Sequence, residues 1–136
     1  MATVRKEILT KASAASVWDA IRDVGALHTR LVPGFVKDTR LEGTVRVVTF
    51  GSGLVVREPI VTLDDGARRL VWTAEGGLAT HYNASVQVFD EGPGRTRVVW
   101  QSDFLPDSVA AGIDAAMTAG AETMRRTLDR TAEQGA

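Results

Sequence analysis

The segment Pro106–Ala132, PDSVAAGIDAAMTAGAETMRRTLDRTA, decides the fold. Good helix formers run through it, and Pro106 with Asp107 suits a helix start. Val109, Ile113, Met117, Gly120, Met124 and Leu128 recur every three or four residues and so share one helix face. Ala110, Ala111, Ala115, Ala116, Ala119 and Ala121 surround them. Such a face is thin. Laid against a sheet, small residues and flexible thioethers leave volume unfilled where native interiors are otherwise close-packed.

Working back from that helix, the pattern changes to strands. Apolar and polar residues alternate near 35–42, 44–50, 54–63, 68–75, 79–90 and 95–105. Gly43, Gly51-Ser52-Gly53, Asp64-Asp65-Gly66, Gly76-Gly77 and Glu91-Gly92-Pro93-Gly94 break them. Connections this short force antiparallel neighbours. Ahead of them, Thr3–Thr10 reads as a first strand and Ser13 as the N-cap of a helix over 14–23, with Val17, Trp18 and Ile21 on one face. A second helical turn is expected around Gly25–Leu31, stopped by Pro33-Gly34. One helix cannot cover both faces of so wide a sheet, so the sheet must curl around it. The expected class is α+β: a seven-stranded curved antiparallel sheet wrapped around a long C-terminal helix, with two short helices between strands 1 and 2, in one domain over residues 1–136.

Composition narrows the possible roles. Sixteen basic against 17 acidic side chains leave a net charge of -1, which offers no basic face to nucleic acid. No stretch approaches the roughly 20 apolar residues of a membrane span, so membrane insertion is not expected. There is no cysteine, and the N-terminus lacks a signal peptide's apolar run, so a cytoplasmic address is the default. His28 and His81 have no partner at metal-ligand spacing, so neither a metal nor a cofactor is expected. His81, Ser85 and Asp103 fall on a polar strand face without a nucleophile elbow. Gly51-Ser52-Gly53 leads into a strand and so is a turn, not a phosphate cradle.

Hairpin arithmetic gives the inward face. Centring a turn on Ser52 pairs Phe50 with Leu54, Val48 with Val56 and Arg46 with Glu58. The Gly76-Gly77 turn pairs Trp72 with Tyr82 and Leu70 with Ala84. The last hairpin pairs Val86 with Trp100, Ala84 with Ser102 and Tyr82 with Phe104. One concave surface then carries Phe50, Leu54, Val56, Ile60, Leu70, Trp72, Tyr82, Val86, Val98, Trp100 and Phe104. Trp72, Tyr82 and Trp100 are either aromatic core or pocket lining, and the thin helix opposite favours a gap. Arg46 and Glu58 are the charged members of this face. They read either as polar anchors for a ligand or as a cross-strand ion pair, partly solvated at a cavity rim and worth about 0–1 kcal/mol.

The element order and several strings resemble the START-like (SRPBCC) superfamily, which includes polyketide cyclase/dehydrase-like proteins, birch-pollen-allergen-like proteins and plant abscisic-acid receptors. The strings are Ser16-Val17-Trp18-Asp19-Ala20-Ile21, Gly51-Ser52-Gly53-Leu54-Val55-Val56-Arg57-Glu58, Arg68-Arg69-Leu70-Val71-Trp72, His81-Tyr82-Asn83-Ala84-Ser85 and Trp100…Asp103…Pro106. The resemblance implies a helix-grip fold with a hydrophobic cavity between sheet and C-terminal helix. It also implies a gate-like turn at Ser52-Gly53-Leu54, a pocket glutamate at Glu58 and a pocket aromatic at Trp72. Val55 stands where the receptors carry a proline, and no residue matches their carboxylate-binding lysine, so hormone sensing is not implied.

Two functions follow. One is binding of a small apolar or aromatic molecule by Arg46, Phe50, Leu54, Val56, Glu58, Trp72, Tyr82, Trp100 and Met117. The other is a polyketide cyclase, aromatase or dehydratase using the same pocket, with Glu58 or Tyr82 as general base or acid. Whether Glu58 faces the cavity free of Arg46 separates them, because pairing lowers a carboxyl pKa and isolation in an apolar pocket raises it. A homodimer is compatible with either.

Overall fold

A computed structural model describes residues 1–134, and its elements follow the expected order. Alternation over Ala2–Thr10 makes β1, with Val4, Ile8 and Thr10 turned inward. Ser13 caps α1 (Ala14–Arg22), its Oγ accepting from the Ser16 N–H at 3.1 Å, and Val17, Trp18 and Ile21 are buried. The second helical segment is a 3-10 turn at Val24–Ala26 running into a π turn at Leu27–Leu31. Strands β2 (Val36–Glu42), β3 (Val45–Phe50), β4 (Val55–Asp64), β5 (Arg69–Thr73), β6 (His81–Asp90) and β7 (Thr96–Leu105) follow.

All pair antiparallel in one seven-stranded sheet of order β1-β7-β6-β5-β4-β3-β2, so β1 and β2 are its edges. A 3-10 turn at Asp107–Val109 leads into α2 (Ala110–Gln134), which lies in the bend of the sheet. Its buried residues are Ile113, Met117, Gly120, Met124, Thr127 and Leu128, close to the face its spacing predicts. This is the helix-grip arrangement. The expected domain extends to residues 135 and 136, which lie outside the described residues.

Two of the three hairpin registers hold. Arg46 pairs with Glu58 and Val48 with Val56, while Phe50 N–H donates to Leu54 O at 2.8 Å. Across β6 and β7, Tyr82 pairs with Phe104, Ala84 with Ser102 and Val86 with Trp100. The middle hairpin is displaced by two residues. Trp72 faces Ala84, not Tyr82, and Leu70 faces Val86, not Ala84. The cause lies in the connecting loop, where Glu75 bridges to Arg57 of β4 through two backbone hydrogen bonds of 2.8 and 2.9 Å. With Glu75 held there, the β5–β6 connection runs over residues 74–80 instead of closing at Gly76-Gly77. A two-residue slip keeps every side chain on its face, so the inward surface survives.

Candidate ligand-binding cavity

The bend of the sheet and the thin face of α2 leave a cavity of ≈190 Å³. Its sheet wall carries Arg46 and Phe50 of β3, Val56 and Glu58 of β4, Trp72 of β5, Tyr82 of β6 and Trp100 of β7. Leu54 enters from the β3–β4 turn and Met117 from α2. The structure therefore brings together every residue that the sequence singles out. Of the wider inward face, Val98 and Phe104 have no exposed surface and belong to the packed core.

Spacing alone did not identify several further walls. Leu27 and Leu31 line the cavity from the π turn, four residues apart, and that interval was the available signal. Phe35 reaches in from just before β2 and meets Phe50 edge-on at 5.6 Å. It is positioned by the neighbouring turn: Gly51 N–H donates to Phe35 O at 2.9 Å, and a Cβ on Gly51 would stand 2.5 Å from Gly34 O. Leu78, from the long β5–β6 loop, also borders the cavity. Leu54 and Leu78 are 44% and 65% exposed, which places them at its mouth.

Arg46 and Glu58 form a buried pair, not the partly solvated rim pair that one reading of the sequence allowed. Their side chains are 4% and 9% exposed. Arg46 Nε donates to Glu58 Oε1 at 2.9 Å, and Nη2 lies 2.8 Å from the same oxygen. The guanidinium also sits over the Trp72 ring, 5.2 Å from its centroid. Burial lifts the Glu58 carboxyl above the usual glutamate range, against the opposing pull of Arg46 and of the Trp72 indole. Glu58 is thus both paired and desolvated, and the sequence-level choice between those states does not arise.

Tyr82 stacks on Phe104 with ring centroids 6.4 Å apart. Burial pushes its phenol up to about 12, with Ser102 pulling the other way and the Glu58 charge reinforcing the rise. At neutral pH it is a neutral hydroxyl. It can donate a hydrogen bond but is not poised as a base. Ser102 Oγ donates to Met117 Sδ at 2.7 Å, which fixes the thioether in the wall. Trp100 Nε1 is a buried donor with no partner among the described residues. No cluster of His, Cys, Asp or Glu suited to a metal occurs among the described residues. None of their helices is long and apolar enough to cross a membrane.

A curved sheet gripping one helix over an apolar cavity defines a START-like protein. The chain belongs to the family described as polyketide cyclase / dehydrase and lipid transport, whose model matches residues 1–135. None of the curated proteins compared with the chain matches it. Among solved structures, a START superfamily protein from Mycobacterium smegmatis is 14% identical, with a TM-score of 0.76 over 98% of this chain and 99% of that one. Zhui aromatase/cyclase from Streptomyces sp. R1128 is 17% identical, with a TM-score of 0.77 over 98% and 94%. Norcoclaurine synthase from Thalictrum flavum, in complex with dopamine and hydroxybenzaldehyde, is 20% identical, with a TM-score of 0.77 over 99% and 88%. At these identities the likeness is one of fold.

Proposed function

We propose that the chain binds a small apolar or aromatic molecule carrying one or two polar groups, in the cavity between sheet and α2. The observation that carries this reading is an apolar cavity whose wall holds one buried ion pair. Phe50, Leu54, Val56, Trp72, Tyr82, Trp100 and Met117 supply contact area, and Arg46 with Glu58 orients the polar end. A buried ion pair is a poor stabilising device, because apolar residues of similar volume often serve as well or better. Its presence beside a cavity therefore supports a ligand role. The walls come from one chain, so the reading holds for a monomer or a homodimer, and it needs no cofactor. We place its action in the cytoplasm.

A second reading is catalysis of the cyclase, aromatase or dehydratase type. The burial-raised Glu58 carboxyl favours it, since such a group comes closer to the range of a useful base. The Arg46 pairing opposes it. The aromatase/cyclase and the norcoclaurine synthase lend this reading only their shared fold.

Native mass spectrometry of the purified protein, with fluorescence titration of its three tryptophans, tests the binding reading. A co-purifying lipophilic molecule or saturable quenching is expected. Silence across a broad panel of apolar and aromatic compounds sinks it. Turnover lost in Glu58→Gln or Tyr82→Phe with binding retained would move the assignment to the enzyme.

A further inference from the structure

We infer that the polar part of the cavity selects a neutral hydroxyl, as on a phenol or enol, carried by a molecule of about one ring, and rejects the matching carboxylate. The inference rests on the binding reading above and deepens it.

Three observations carry it. The first is how the ion pair is made. Arg46 directs both Nε and Nη2 at the single oxygen Oε1 of Glu58. Among the described residues, the one hydrogen bond of normal geometry between the two side chains is Arg46 Nε to Glu58 Oε1, and the Trp72 indole is the carboxylate's other polar neighbour. The pair thus keeps acceptor capacity on the carboxylate and donor capacity on the guanidinium beyond the contact the two make with each other. A hydroxyl suits either group, since it can donate to the carboxylate or accept from the guanidinium. A carboxylate only accepts, and it would meet Oε2 with like charge. An ammonium only donates, and it would meet the guanidinium.

The second observation is charge balance. Among the described residues, Arg46 and Glu58 are the only charged ones that line the cavity, and as an ion pair they balance one another. An ionised ligand would enter an apolar space with no counter-ion left for it, which is costly. A neutral ligand leaves the balance intact.

The third is size. The cavity measures ≈190 Å³. An apolar protein cavity of about 150 Å³ holds benzene, so this one suits a single substituted ring better than an extended chain.

The test is a ¹H–¹⁵N titration of the full chain at neutral pH with 4-ethylphenol, ethylbenzene and 4-ethylbenzoate, following the indole N–H signals of Trp72 and Trp100. Hydrogen bonding to a charged group predicts that 4-ethylphenol binds roughly tenfold tighter than ethylbenzene. Binding of 4-ethylbenzoate should be weaker than both. In Glu58→Gln the repelling charge is gone and Arg46 loses its counter-charge, so 4-ethylbenzoate should gain roughly tenfold while the phenol loses its advantage. Should that variant not fold, Arg46→Met/Glu58→Leu removes both charges, and phenol and hydrocarbon should then bind alike. Benzoate binding wild type as tightly as the phenol overturns the inference and leaves the cavity reading standing. So does a phenol preference that survives in the variants. No shift of either indole with any of the three probes overturns both.

Discussion

The Trp100 ring rests on the backbone of α2 at Gly120, where a Cβ would stand 3.0 Å from both Cη2 and Cζ3 of the indole. The same Cβ would lie 3.1 Å from Phe35 Cε2. This contact seats the two aromatic walls against the helix, and only a residue without a side chain permits it at that distance. Gly120→Ala should come close to neutral, because about 1 kcal/mol of helix propensity offsets a small displacement of the rings. Gly120→Val should cost about 1–3 kcal/mol by overpacking and should weaken binding of ring compounds. Urea denaturation and the indole titration measure the two effects. A valine variant as stable as wild type would show that the contact is slack.

The two halves of the buried pair should differ when removed singly. Glu58→Leu strands a guanidinium that cannot shed its proton, at a cost of about 3–5 kcal/mol. Arg46→Met strands a carboxyl that burial already raises, and that group can take up a proton instead. Its share of stability is fully present below the unfolded glutamate value, about 4.3, and is lost as pH rises through the folded one. The Arg46→Met deficit should therefore be small in mild acid and grow toward neutrality, always below that of Glu58→Leu. The double variant should match or exceed wild type. Urea midpoints across the pH range decide it, and Arg46→Met as the costlier change would contradict the account.

Tyr82 is the chain's one tyrosine, so phenolate absorbance reports it alone. The folded protein should titrate near about 12, and denatured protein near about 10. A folded value raised above the unfolded one gives stability that is intact below the unfolded value and lost as pH climbs through the folded one. Alkaline unfolding should thus accompany phenolate formation, and Tyr82→Phe should blunt that pH dependence. Ionisation of the native protein near the unfolded value would place the phenol in water.

Met117 is 2% exposed and holds the helix side of the cavity. Met117→Ala should cost about 2–5 kcal/mol, and it removes the acceptor of the Ser102 hydroxyl. The enlarged space should shift preference from 4-ethylphenol toward 4-butylphenol. Chemical denaturation and the same titration check both parts. An unchanged chain-length preference would mean that another wall sets the limit.

How much of the site was legible depended on the turns. At Gly51-Ser52-Gly53 the loop is tight, so counting from Ser52 places Arg46 opposite Glu58 correctly. At Gly76-Gly77 counting fails by two residues, because Glu75 is held by Arg57 on another strand, a long-range contact that no local count contains. Leu27 and Leu31 escaped notice as walls because a π turn spaces them like any helical pair, and only its seat under the sheet turns them inward. Phe35 owes its place to the Gly51 turn that packs beside it.

Sequence by itself determined the layering and the inward set. Period-two and period-3.6 patterns are local properties of the chain, and side chains that alternate across a strand keep their face under an even slip. Tertiary structure alone decided how deeply Arg46 and Glu58 are buried, which carboxylate oxygen Arg46 engages, and how large a gap α2 leaves. Burial and cavity volume arise from the closing of distant elements on one another, and no local pattern encodes that distance.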